Sequence, residues 1–419
     1  MQECWSRCAG HRMVTTDGTS VLVVYPGIRA DSRGPDYKDA VLSVDSGVAV
    51  RGDVELHLDS GDWSRHGHDA DPSYDDVILH VVGRNTAEPG SASTRKRRIP
   101  VAILSGPVVL PGFATLPCSS LSDDEATLYR KLGRAGVVRL LTRARTIARR
   151  CASEAPRQTM AHRFSRALGY SANGGMGETL GLRLSEPQLN GRLLRCAEEE
   201  RRSIVLGVAG LLPSQRRRAG LRVAADAPEC EAHWRSVESE VCALDPLGWR
   251  LRGLYPNNSP VRRMAALADL WPHMDELAET TVDVVLRLAH QPRLCARDLE
   301  DGVRWHGSDY WRIHSDFGIA TRESDVIGAG KAREVVVNAL LPYVAAIAMC
   351  RRDPSLLRSV VRLYTSYPAA HVHAVTGHMW RQLGARRTNA TADVEQGLVH
   401  LFTAYCRHGR CRQCPLVNS

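Results

Sequence analysis

The chain has 419 residues, of which 43% are hydrophobic and 24% charged, so a disordered chain is excluded and two domains with small appendages are expected. No run approaches the roughly 20 apolar residues of a membrane span, and the opening MQECWSRCAGHRM lacks a continuous apolar signal core, which predicts a cytoplasmic protein with no membrane partner. The formal net charge of +9 admits a nucleic-acid partner. Only Lys38, Lys96, Lys131 and Lys331 are lysines, however, and so strong an arginine skew reflects genome composition more readily than phosphate binding. The twelve cysteines are expected to be mostly reduced and buried.

Residues 1–115 read as strand-rich. A short helix at 3–7 precedes apolar runs at 21–25, 40–44, 54–58, 77–82 and 99–104, separated by Gly, Pro, Asp and Ser clusters, with a loop at 85–94. From about Asp123 the spacing becomes helical. The first helix carries acids at its start and bases at its end, which suits its macrodipole. Further helices are predicted at 158–168, 201–212, 260–270, 274–288, 332–349, 354–365 and 391–405, with turns at 171–177 and 255–260. The expected fold is α+β: a strand-rich domain (1–115), a mostly helical domain (116–395) and a short cysteine-bearing tail (396–419).

Chemistry concentrates between residues 34 and 82. In Asp53-Val54-Glu55-Leu56-His57-Leu58-Asp59 a strand sends Asp53, Glu55, His57 and Asp59 to one face, and Val54, Leu56 and Leu58 to a core. One wet face of an antiparallel strand explains that pattern without function. Two details point further. The strand opened by Gly34-Pro35-Asp36 is expected to hairpin onto this one and bring Asp36 near Glu55. Downstream lie His66, His68, Asp71, Asp75 and His80, the last in an all-apolar strand where it must find a partner.

An Asp at a strand start followed by Glu-x-His on the next strand resembles the PD-(D/E)xK nuclease superfamily. That resemblance implies a restriction-endonuclease-like domain in which Asp36 and Glu55 hold Mg2+ or Mn2+. His57 then stands where the family has lysine, with Lys38 as a displaced substitute or merely a solvated strand edge. A broader resemblance runs along the whole chain. GPDYKDA, GDVELHLDSGDW, HGHDADPSYDDVILHVV, RALGYSANGG, LGVAGLLP, NNSPVRRMAALA, VVVNALLPYV and QGLVHLFTAYCRHGRCRQCPL resemble bacterial proteins grouped as domain of unknown function 2851. Glu55, His57, Asp62, Trp63, His66, His68 and His80 fall at matching places, and Lys38 is not part of that pattern. The resemblance implies no activity.

Three other segments stand out. Cys406, Cys411 and Cys414 have the spacing of a turn that wraps Zn2+ or an iron–sulfur cluster. A fourth ligand is expected from His400, His408, Cys350, Cys4 or Cys8. Arg262 and Arg263 are candidates for nucleic-acid contact. Gly328 to Lys331 lacks the full phosphate-loop spacing and reads as a helix start. The leading expectation is a divalent-metal-dependent phosphodiesterase. The alternatives are a non-catalytic nucleic-acid-binding or scaffold protein with structural metals, and another metal-dependent hydrolase whose His-rich site takes a transition metal.

Overall fold

Alternation in SVLVVY buries Val21, Val23 and Tyr25 on one side of a strand, and the same period-two logic builds the N-terminal sheet. Its strands are β1 (Arg12–Val14), β2 (Ser20–Tyr25), β3 (Ile28–Arg29), β4 (Tyr37–Val44), β5 (Val48–Asp59), β6 (Val77–Arg84) and β7 (Val101–Ile103). This computed structural model describes residues 1–30, 34–44, 48–86, 91–94, 97–104, 118, 124–151, 154–251, 258–288, 290–369 and 374–417. Lys96 and parts of the expected loop at 85–94 and turn at 255–260 lie outside them.

The sheet order is β1-β2-β4-β5-β6-β7, with β3 also paired to β4. Strand β5 runs antiparallel to β4 and parallel to β6, and β7 is parallel to β6. A parallel pair needs a crossover. Here it is the segment between Asp59 and Val77, which contains helix α2 (Asp62–Arg65) and a 3-10 turn, Pro72–Tyr74. Helix α1 (Gln2–Ser6) packs Trp5 into the sheet's core and donates its indole N–H to the Pro26 carbonyl at 2.9 Å.

The β4–β5 register slips between Tyr37 and Ala40, where Asp39 sits at φ 59°. Such a bulge bends the strand and re-aims its side chains. Lys38 consequently forms an ion pair with Asp53 at 2.5 Å and is taken up by that carboxylate. Leu58, expected in a core, is 73% exposed, because the burial pattern of β5 breaks after His57.

Two compact units divide the chain. One comprises Met1–Gly136, Val372–Ala390 and Val394–Ser419; the other comprises Val137–His371 and Thr391–Asp393. The architecture is α+β, a strand-rich sheet followed by a mostly helical region. The second unit is helical around a large apolar core that includes Phe164, Trp234, Trp271 and Tyr343. Two of its expected helices, Pro260–Leu270 and Met274–Leu288, end where their caps and periodicity place them.

The turn expected at 171–177 is instead inside a helix, Tyr170–Leu184. Gly177 and Gly181 serve close packing on the preceding helix, Pro156–Leu168. A Cβ at Gly177 would stand 2.4 Å from the Ser165 carbonyl oxygen. Gly177→Ala is therefore expected to destabilise this unit by about 1–3 kcal/mol through overpacking, measurable by urea unfolding.

The nucleic-acid role expected of Arg262 and Arg263 is not compatible with their positions. Arg262 is 0% exposed, and its Nη2 donates to the Ser324 carbonyl at 2.7 Å and to the Ser324 hydroxyl at 3.1 Å. Arg263 is also buried, bonded to the Val326 carbonyl and to Asn258 Oδ1. Both guanidinium groups fasten the segment 324–326 from within, out of reach of a phosphate. Arg262→Ala is expected to cost roughly 2–4 kcal/mol, since buried carbonyls lose their donor, and to leave any nucleic-acid affinity unchanged in a filter-binding assay.

Lys331 is likewise internal. Its Nζ donates to the Ala167 carbonyl at 2.8 Å and pairs with Glu334 at 3.1 Å, and burial lowers its pKa to about 7. It sits in the helical run Ala329–Cys350, 22 residues long with mean hydropathy 1.5. By length and composition that run meets the criterion for a membrane span, contrary to the expectation that none would. Its most apolar stretch is 72% buried inside the unit, which accounts for the hydropathy through core packing.

Candidate metal centre

The strand pair β4–β5 brings Asp36 beside Glu55 as expected, but through the Asp36 main chain; its carboxylate, expected as a metal ligand, is taken up by Gln2 and the Leu56 N–H. The Asp36 backbone N–H donates to Glu55 Oε2 at 2.9 Å, and the Leu56 N–H donates to Asp36 Oδ2 at 3.1 Å. Asp36 Oδ1 accepts from Gln2 Nε2 at 2.8 Å, a contact between residues too far apart in sequence for any local pattern to signal. The Asp36 carboxylate thus stitches α1, β4 and β5 together, whereas Glu55 keeps Oε1 turned elsewhere.

That oxygen faces imidazoles. Glu55 Oε1 lies 3.4 Å from His57 Nε2 and 3.5 Å from His68 Nε2, and His66 Nδ1 lies 3.2 Å from His57 Nε2. His57, His66 and His68 each offer a nitrogen, all within 4.8 Å of one another. The crossover supplies two of them. Its tight path is held by Asp62, which accepts from the Asp59 N–H and pairs with Arg65, and by the His68 N–H bonded to the Trp63 carbonyl at 3.0 Å. Trp63 and Tyr74 form the wall behind them, with Tyr74 stacked on His68 at 3.8 Å between ring centroids.

The remaining polar residues of the segment are occupied structurally. Asp71 caps Ser73, Asp75 accepts from the Thr94 hydroxyl and N–H, and Asp59 pairs with Arg84. Asp53, on the expected functional face, is committed to Lys38. The candidate cluster is therefore narrower in carboxylates and richer in imidazoles than the strand pattern implied.

His80 is fully buried and has found its partners. Its Nε2 lies 2.9 Å from His57 Nδ1 and its Nδ1 lies 2.5 Å from Ser91 Oγ. A chain Ser91–His80–His57 results, and it fixes which nitrogen of His57 faces the cluster. Ser91 went unnoticed in the sequence, since a buried serine (4% exposed) in a Ser- and Thr-rich loop carries no signature.

The donor set fits a cation. A tetrahedral ion with bonds of about 2.1 Å separates its ligands by about 3.4 Å; His57 and His66 present nitrogens 3.2 Å apart, and the His68 nitrogen lies within 4.8 Å of both, while Glu55 Oε1 stands beside this trio, 3.4 Å from His57 and 3.5 Å from His68. His68 Nε2 is buried without a hydrogen bond of its own, the kind of orphan an ion satisfies. If His57 Nε2 faces the ion, its Nδ1–H donates to His80 and the His80 Nδ1–H to Ser91, the outer-shell arrangement that holds metal-bound imidazoles.

Burial sets the electrostatics. Desolvation pushes the Glu55 carboxyl up, the nearby Asp36 charge adds to this, and His68 partly offsets it. The His57 and His80 imidazoles are pushed down to about 4 and about 3, first by burial and then by neighbouring imidazoles. A depressed histidine contributes stability above its unfolded pKa of about 6.5 and loses it as pH falls through the folded value. The raised carboxyls of Glu55 and Asp53 oppose that loss, because their protonation favours the fold. Chelator-treated protein is expected to lose thermal stability between about pH 6.5 and 4. His80→Asn is expected to flatten the slope, as followed by melting at each pH.

The pocket beside the cluster is lined by Met1, Gln2, Glu3, Arg29, Asp36, Leu56, His57 and Leu58. His66 is exposed whereas His57 and His68 are buried, so the cluster lies at the border between core and solvent. No curated protein and no solved structure matches the chain. The family described as protein of unknown function (DUF2851) matches residues 3–373. Glu55 and the four histidines all lie within that span, and the chain belongs to the DUF2851 family.

Proposed function

We propose that this protein is a transition-metal-dependent hydrolase whose ion is held by His57, His66 and His68, with Glu55 beside the position left open for water. The donor set supports Zn2+ or Mn2+ over Mg2+, since imidazole nitrogens suit the former and hard oxygens the latter. Such an ion supplies a water acidified enough to attack at neutral pH. The chain's own residues orient the ligands. Asp36 locks Glu55 through its backbone N–H, and His80 with Ser91 holds the His57 tautomer. Trp63 and Tyr74 exclude water from the rear.

The single observation carrying this reading is that the ligands border an open pocket at His57 and reach solvent at His66. A structural site is closed on all sides; a catalytic one keeps a position open. Arg29 stands on the pocket wall beside Glu3 and Asp36 and is the side chain there that can pair with an anionic substrate such as a phosphodiester. The protein is to be incubated with a bis-aryl phosphodiester, single-stranded DNA and RNA, each with Zn2+, Mn2+ or Mg2+. Turnover with Zn2+ or Mn2+, reduced at least about 100-fold in His66→Ala, is the expected result. Tight metal binding without hydrolysis of any of these substrates would replace the enzyme with a scaffold held by a structural ion, a reading favoured by the burial of His57 and His68.

A further inference from the structure

The C-terminal cysteines find their partner in a residue that the sequence reading did not consider. Gln382 stands beside both Cys118 and Cys406: its Nε2 donates to Cys118 Sγ at 3.1 Å, and it also lowers the Cys406 pKa. Cys406, Cys411 and Cys414 lie on two successive 3-10 turns, Cys406–His408 and Cys411–Gln413. Gly409 reverses the chain between them at φ 63°, a left-handed conformation that glycine adopts without strain. The Cys414 N–H closes the second turn on the Cys411 carbonyl at 3.1 Å.

The setting is apolar. Cys406 and Cys414 belong to a buried cluster with Tyr25, Leu398, Phe402 and Leu416, and Cys118 is buried as deeply as Cys406. The thiols of Cys118, Cys411 and Cys414 each act on that of Cys406, and all four are raised first by burial. Four sulfurs brought together from positions nearly 300 residues apart are more than a thiol-rich core requires. Two of the other expected partners are engaged elsewhere. Cys8 donates to the Cys4 carbonyl, and Cys350 to the Ala148 carbonyl.

We infer that Cys118, Cys406, Cys411 and Cys414 form a four-thiolate site for an iron–sulfur cluster, which staples residue 118 to the segment 406–414. Spacing selects the occupant. A single zinc draws its thiolates to about 3.8 Å of one another, whereas no three of these sulfurs lie within 4.8 Å. A cubane holds its four ligands farther apart than one ion does. The Gln382 N–H aimed at Cys118 Sγ is the type of donor that stabilises a metal-bound thiolate.

The test uses the full chain, purified anaerobically and assayed for iron, acid-labile sulfide, zinc and visible absorption. About four iron and four sulfide per chain are expected, falling at least tenfold in Cys118→Ser and in Cys411→Ser and unchanged in Cys242→Ser. Alkylation of the unmutated protein covers the case in which those variants fail to fold. Cys118, Cys406, Cys411 and Cys414 should be protected as a set until the iron is stripped. One zinc per chain protecting the same four would overturn the cluster assignment. Absence of bound metal, or alkylation of Cys118 independently of the other three, would overturn the site itself. Iron retained in His66→Ala separates this centre from the one at Glu55.

Discussion

Replacing His66 by alanine is expected to weaken zinc binding at the imidazole cluster by at least about 100-fold, because changes to outer-shell partners alone cost about 10–100-fold. His66 is the informative position since its side chain is exposed, in contrast to those of His57 and His68. The variant should therefore fold and melt like the unmodified chain once both are treated with chelator. Isothermal titration of Zn2+ into each protein measures the difference. His80→Ala should fall between the two, because His80 meets the cluster only through His57 Nδ1. Equal zinc affinity in His66→Ala and the unmodified chain would remove His66 from the ligand set.

Trp63→Ala is expected to cost about 3–5 kcal/mol of stability, the usual range for deleting a buried indole. Trp63 is 1% exposed, donates to the Ala92 carbonyl at 2.9 Å and contacts His68, Tyr74 and His80. Its loss opens a cavity directly behind two of the histidines, so metal affinity should fall with stability. Trp63→Phe keeps most of the packing and loses the N–H donor, and about 1 kcal/mol is expected from that. Denaturant unfolding of the three proteins, with and without Zn2+, distinguishes packing from ligand placement. A Trp63→Ala protein with unchanged midpoint would contradict the placement of this ring in the core.

Much of the sheet was legible because its signals are local. The alternation in β5 put Glu55 and His57 on one face, and the apolar surroundings of His80 required a buried partner. The strand opened at Gly34-Pro35-Asp36 does pair with β5 and bring Asp36 to Glu55. What the sequence concealed depends on contacts across long separations. Nothing near Cys118 points to Cys406, and nothing in Arg262-Arg263 distinguishes a phosphate contact from a buried clamp on residues 324–326. The glycines at 174–177 read as a turn because glycine breaks isolated helices; in this fold Gly177, with Gly181 one turn on, allows two helices to approach closely. The shift from carboxylate to imidazole chemistry was equally hidden. It arises because the Asp59–Val77 crossover folds His66 and His68 back onto His57, while Lys38 and Arg84 neutralise the outer acids of the strand.

Anomalous diffraction at the zinc edge, from crystals of the full chain loaded with zinc, tests the central claim most directly. The account predicts a peak bounded by one nitrogen each of His57, His66 and His68, at bonds of about 2.0–2.1 Å, with Glu55 Oε1 facing the fourth position. Zinc density elsewhere in the chain with none between these three imidazoles would contradict it.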